Sequence, residues 1–189
     1  AITAAAVYGA GQFYGSSDLP LEEGGANDLS GVPSGDVATV NAAIVSGQKL
    51  TGDALNQLAL VAKGDPVALA KYELYFGKYS AGNYGKVVSA YQSIQAAFKA
   101  GLTVQLDNSS SAYGYVYSGG KVEVFLGKAF WGAGTTGFDS QGGVFVHELS
   151  HEVAGTVDVI YGRAGAMGLS RSAPSRAITN ADNYEYFAE

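Results

Sequence analysis

The sequence contains no cysteine, which excludes both a disulfide framework and a thiolate metal site. Histidine is almost as scarce, with 2 in 189 residues, so any histidine chemistry must use that pair. Charge is sparse as well: 15% of residues are charged, and 17 Asp and Glu outweigh 11 Lys and Arg to give a net −6. That balance speaks against nucleic acid and against anionic membrane surfaces as partners. No apolar run approaches the length of a membrane-spanning helix, so a helical membrane anchor is not expected within the sequence. Residues 1–6 are apolar but lack a basic start and soon meet Tyr8, Gly9 and Gly11. They do not read as a signal peptide, and any such segment is expected to have been removed or never present.

What the chain has is 47% hydrophobic residues, 27 Gly and 13 Tyr. This is enough apolar material for one domain with a real core, expected over residues 1–189 as a monomer. The composition leans towards a secreted protein. Residues 1–36 are rich in Gly, Ser and Asp, with Pro20 and Pro33, and read as turns with a strand around Phe13. Residues 37–70 turn helical: Asp53 is placed to cap one helix holding Leu55, Leu58, Ala59 and Ala62, and Asp65-Pro66 to open the next. That next helix carries Leu69, Tyr72, Leu74 and Phe76 and ends near Gly77. A further helix spans roughly 84–100 and stops at Gly101.

The period then switches from helix to strand. Leu102, Val104 and Leu106 alternate, then Tyr113, Tyr115 and Tyr117, then Val122, Val124 and Leu126. Asp107-Asn108 and Gly119-Gly120 read as turns between them, which predicts a small antiparallel sheet. Residues 144–154 are helical again, residues 162–170 (GRAGAMGLS) read as a mobile Gly-rich loop, and a short helix closes the chain from about Asn180.

The chemistry concentrates in VFVHELSHEVAG. Residues i and i+4 share one face of a helix, so His147 and His151 can aim nitrogen lone pairs at a single ion. Glu148 is rotated aside, where it can reach a water on that ion instead of ligating it and serve as general base. Two randomly placed residues in a chain of this length fall four apart only about once in a hundred, and a Glu beside the first is rarer still. With no histidine left over, the third protein ligand must be a carboxylate. A metzincin arrangement is excluded, because the positions that would need Gly and His hold Ala154 and Val157. Glu152, Asp158, Asp182, Glu185 and Glu189 remain as candidates. Glu152 points elsewhere on the helix, Asp158 follows the helix stop at Gly155, and Glu185 is the distant alternative on a later helix. A non-catalytic binding module that uses zinc as a staple is the rival from another class. It fits less well, since structural zinc sites usually have four protein ligands, often including Cys.

HELSH followed by GTVDVIYG (155–162) resembles the aspzincin signature, HExxH followed by GTxDxxYG. YELYFG (72–77), YGYVYSGGKVEVFLGKAFW (113–131), TTGFDSQGG (135–143) and NADNYEYFAE (180–189) resemble the peptidyl-Lys metalloendopeptidase branch of that family. The resemblance covers about the C-terminal two-thirds of the chain. It implies an α+β zincin-like fold and a zinc endopeptidase acting on proteins or peptides. One Zn2+ per chain would be held by His147, His151 and Asp158, with Glu148 as general base and Tyr161 stabilising the tetrahedral intermediate. Asp182 and Glu185, three residues apart, match the acidic pair that reads lysine in that branch. If their stretch is helical they present two carboxylates to one side of a pocket, suited to a compact ammonium. The competing reading is a helix-start role, since Thr179-x-x-Asp182 resembles a capping box. The chain departs from the branch in two ways. The spacing from His151 to Asp158 is shorter, and cysteine is absent where the branch has disulfides, with Leu126, Gly127 and Lys128 where one would be anchored.

Overall fold

The computed structural model describes residues 25–117 and 122–189. The strand expected around Phe13 and the turn at Gly119-Gly120 lie outside them. Strand β1 (Asp28–Gly31) leads into helices α1 (Val37–Ala62), α2 (Pro66–Phe76) and α3 (Ala81–Ala100). Strands β2 (Thr103–Leu106), β3 (Gly114–Val116) and β4 (Glu123–Leu126) follow, then a 3-10 turn at Lys128–Gly132. The rest is helical: α4 (Gln141–Ala154), α5 (Arg163–Ser172), α6 (Pro174–Ala177) and α7 (Ala181–Ala188).

Local signals account for most helix ends. The Asp65 carboxylate accepts from Val67 N at 2.9 Å and Ala68 N at 2.8 Å, with Pro66 in the first turn of α2. Ser80 caps α3 through Asn83 N, and Ser140 caps α4 through Gly143 N. Each of these hydroxyls satisfies a backbone donor that the helix leaves open. Helix α4 stops where Gly155 turns left-handed at φ 68°.

Three expectations are corrected. First, Asp53 caps nothing: α1 runs through it as one helix of 26 residues. The Asp53 carboxylate instead meets Lys49 Nζ at 2.6 Å, one turn back on the solvent face. The buried stripe of Ala43, Ile44, Gly47, Thr51, Ala54 and Leu58 continues past it, so nothing favours a break. Second, residues 162–170 are not a loop. Helix α5 occupies them because Ala166 and Leu169 are buried and Ser170 Oγ donates to Leu74 O of α2 at 2.7 Å. Tertiary burial here outweighs the poor helix propensity of the glycines.

Third, the sheet is mixed and not antiparallel. Its order is β1-β2-β4-β3, with β1 parallel to β2, β2 parallel to β4, and only β3 antiparallel to β4. All three alternating runs form strands, but alternation reports which face is buried, not which neighbour a strand takes. Strand β4 enters the middle of the sheet, where Val124 and Leu126 are wholly buried beside Val104, and β3 becomes an edge. Strand β1 lies within residues expected to be irregular.

Helix α4 packs against α1, α3 and α7 and touches β3. Its contact with α1 is close. A Cβ on Gly47 would stand 2.8 Å from Gly142 O, and one on Gly142 would stand 2.5 Å from Ser46 Oγ. Helix α7 is buried along its whole length. One side joins an aromatic cluster of Tyr75, Phe76, Tyr91, Tyr184 and Phe187, with Phe76–Tyr184 centroids at 5.1 Å. Tyr91 Oη donates to Tyr184 O at 2.6 Å and Tyr184 Oη to Ile178 O at 2.8 Å, so the cluster buries its polar tips satisfied.

Candidate active site

A cavity of about 650 Å³ opens beside α4, and His147, Glu148, His151, Asp158, Tyr161, Asp182 and Glu185 all line it. The two histidines lie one turn apart with Nε2 atoms 3.2 Å from each other. Asp158 Oδ1 stands 3.1 Å from His147 Nε2 and 3.2 Å from His151 Nε2.

The far nitrogens explain the ring orientation. His151 Nδ1 is 2.9 Å from Thr156 O, and a carbonyl only accepts, so the proton sits on Nδ1 and the Nε2 lone pair faces forward. His147 Nδ1 is 3.0 Å from Asp182 Oδ1 and 3.2 Å from Glu185 Oε2, which orients its Nε2 forward too. In the neutral tautomers so fixed, two lone pairs and a carboxylate oxygen converge on one point, which an imidazolium proton or a bound cation can neutralise. Such a triangle calls for a cation. Zinc with four ligands at about 2.0–2.1 Å would space them about 3.3 Å apart, close to the edges observed. The residues present therefore fit the metal.

Among the described residues a second group could also hold an ion: His147, Asp182 and Glu185. It lies on the Nδ1 side of His147, away from His151. Glu185 therefore faces the back of the ring and not the converging Nε2 pair. Backing a metal-binding histidine with a carboxylate fixes the ring and raises its basicity.

Electrostatics favour positive charge at this place. Burial alone would lower His147, but hydrogen bonds with Asp158, Asp182 and Glu185 outweigh it and raise the imidazole well above its ordinary value. Burial likewise opposes a rise at His151, and Asp158 and the Thr156 carbonyl reverse the balance. The same contacts from His147 and His151 hold Asp158 far below the usual carboxylate range. Burial pushes Glu148 up to about 7, against the pull of both histidines. Burial also raises Glu185, with His147 pulling the other way.

Asp158 comes from a turn rather than from the core. After Gly155, Thr156 Oγ1 pairs with Ser150 Oγ at 2.6 Å. Val157 N donates to Thr179 O at 2.8 Å, and Ala181 N returns a bond to Val157 O at 3.2 Å. Asn180 Oδ1 accepts from Val159 N at 2.8 Å and Ile160 N at 3.1 Å, and Asp182 Oδ2 accepts from Gly162 N at 2.6 Å. The turn is thus fastened to the start of α7, and this fastening spans the short interval between His151 and Asp158. Asp182 does not cap its helix: the cap position is Asn180, whose side chain makes no capping bond to α7. Tyr161 is 69% exposed and its Oη donates to Asp158 Oδ2 at 2.8 Å, which raises the phenol.

Thr156, Asn180, Asp139 and Tyr186 also border or brace the cavity and were not singled out from the sequence. Each acts through a contact distant in the chain or through its backbone, and neither leaves a spacing to read.

A histidine pair flanking a glutamate on one helix, with a carboxylate from the next turn, is the donor set of the zincin metallopeptidase class. A profile of the lysine-specific metallo-endopeptidase family, the aspzincins, matches residues 61–189, and the chain belongs to that family. It is 37% identical over 153 residues to a peptidyl-Lys metalloendopeptidase of Pleurotus ostreatus, covering 79% of this chain and 89% of the relative. It is 42% identical over 122 residues to an extracellular protease of Aeromonas hydrophila, covering 63% of this chain. The match spans only 35% of that bacterial protein's length. The solved zinc peptidase from Grifola frondosa superposes with a TM-score of 0.75 at 32% identity, covering 82% of this chain and 95% of that one.

Proposed function

We propose that the chain is a secreted zinc endopeptidase that cleaves peptide bonds on the amino side of lysine. The observation that carries this reading is the buried acid pair next to the histidine triangle. Asp182 and Glu185 are 4% and 5% exposed, and both face the one Nδ1–H of His147. With one imidazole donor between them, and the Gly162 N–H on Asp182 besides, two buried carboxylates still leave acceptor capacity and negative charge uncompensated. An ammonium with three donors matches that need, whereas a wide planar guanidinium fits a narrow pair less well. The name of the Pleurotus ostreatus relative, a peptidyl-Lys metalloendopeptidase, points the same way.

His147, His151 and Asp158 hold the zinc in this reading, which supplies a Lewis acid for the carbonyl and for water activation. Glu148, buried and held near neutrality, takes a proton from the attacking water and passes it to the leaving amine. Tyr161 is free on its outer side to turn its phenol towards the developing oxyanion. Gly114, Tyr115 and Val116 of edge strand β3 line the cleft, where an extended substrate backbone can pair with the strand. Asp182 and Glu185 receive the lysine side chain.

Digestion of an unbiased peptide mixture tests the reading. New N-termini should begin with Lys, and Asp182→Asn or Glu185→Gln should erase that preference. Glu148→Gln should retain one zinc per chain while turnover drops about 10²–10⁴-fold. Broad cleavage unchanged by the acid substitutions, or full activity without a transition metal, would refute it.

A further inference from the structure

We infer that Glu189 is a positioning residue of this site, a clamp that locks the end of α7 onto the start of α4 and so places the acid pair relative to the histidines. The inference rests on the lysine pocket proposed above. Asp182, Glu185 and Glu189 are spaced three and four residues apart, which puts them on one helical face, the face turned to α4. The first two reach His147. The third reaches the other end of the same helix: Glu189 Oε1 accepts from Ser140 N at 2.9 Å, and Oε2 accepts from Asp139 N at 3.1 Å.

The surroundings are shaped to admit that carboxylate. A Cβ on Gly143, in the first turn of α4, would stand 2.2 Å from Glu189 Oε1. With Glu189 in this place, only glycine leaves room there. The negative charge meets open backbone donors and the positive end of the α4 dipole. Asp139, just before the Ser140 cap, adopts a left-handed backbone at φ 55°, an unusual state for a residue with a side chain. Both of its contacts come from the same end of the chain: Glu189 takes its N–H, and Tyr186 Oη donates to its carboxylate. Asp139 lines the cavity next to Tyr186 and Glu185. The clamp therefore joins segments about fifty residues apart and acts beside the pocket rather than at the metal.

The test uses the full chain and Glu189→Gln, assayed well above neutrality so that the wild-type carboxylate is ionised. The amide replaces one acceptor with an N–H that must face a backbone N–H. Amide hydrogen exchange at Asp139 and Ser140 should accelerate, whatever the substrate preference. KM for a quenched peptide with Lys after the scissile bond should rise about tenfold, because small misplacements of a binding group are costly. The kcat and zinc affinity by chelator competition should each stay within about twofold, since the Asp158 turn is fastened to the start of α7 and Glu189 lies at its far end. Tyr186→Phe should shift KM in the same direction by a smaller factor, and serves alone if Glu189→Gln fails to fold. Unchanged amide exchange overturns the clamp. Faster exchange with unaltered KM overturns its positioning role and leaves a helix cap only. A wild type without lysine preference refutes the pocket instead, while the exchange result still judges the clamp.

Discussion

Two neighbouring segments meet at the cation site and are held there by opposite means. Helix α4 brings His147 and His151 on a scaffold whose Phe145, Val146 and Leu149 are wholly buried. The turn that brings Asp158 has Val157 at 55%, Ile160 at 40% and Tyr161 at 69% exposure. Apolar packing positions the first. The second has little to bury and depends on hydrogen bonds to Thr179, Asn180 and Asp182. Non-directional burial on three sides leaves the helix one position, and its polar ties at Ser140 and Glu189 are confined to its start. A ligand on an exposed turn must have its direction specified by polar contacts, and these draw on α7, the helix that also carries the acid pair.

Three substitutions probe this contrast. The largest effect is expected from Phe145→Ala, which empties the space beside Phe130 and Gly47 and should cost about 3–5 kcal/mol in denaturant unfolding. The folded fraction should still bind zinc with ordinary affinity. Weak zinc binding by fully folded protein would show that packing is not what fixes the helix ligands. Next comes Asn180→Ala. It strips the acceptor from Val159 N and Ile160 N and should cost about 1–3 kcal/mol. Zinc affinity by chelator competition should fall about 10–100-fold, the range seen when residues supporting a ligand are lost. Unchanged affinity would mean that the turn holds Asp158 without these ties. The smallest effect belongs to Ser140→Ala, which removes the α4 cap and should lower stability by about 1 kcal/mol. Its kcat should match wild type, because the cap lies about two turns from Glu148 and the core still holds the helix. A large loss of kcat would show that α4 is less rigidly held than its burial suggests.

Legibility in the sequence followed the same division. Asp65-Pro66, Gly101 and Gly155 announced helix ends because capping depends on a few adjacent residues. The helix of His147, Glu148 and His151 was readable for that reason, as was the alternation in β2, β3 and β4. Asp53 misled because an acid beside a helical run can cap a start or pair with Lys49, and the choice depends on which face is buried. The glycines of 162–170 misled because α2 and Asn183 supply partners for α5, with Asn183 Nδ2 donating to Ala166 O at 3.0 Å. The parallel pairing of β2 with β4 left no local trace at all.

The sequence by itself determined which side chains could meet: two histidines a turn apart, a glutamate set aside from them, an aspartate soon after the helix stop, and two acids three residues apart. Periodicity and spacing act over a few residues, and these relations all lie within that range. Only the tertiary structure decided how the groups divide around His147, with Asp158 before its Nε2 and Asp182 and Glu185 behind its Nδ1. It also decided that Glu189 reaches Asp139 and Ser140 rather than the histidines. Those assignments depend on how α7 lies across α4. That placement is set by burial of the aromatic cluster between α2, α3 and α7, a long-range packing outcome that no short stretch of sequence encodes.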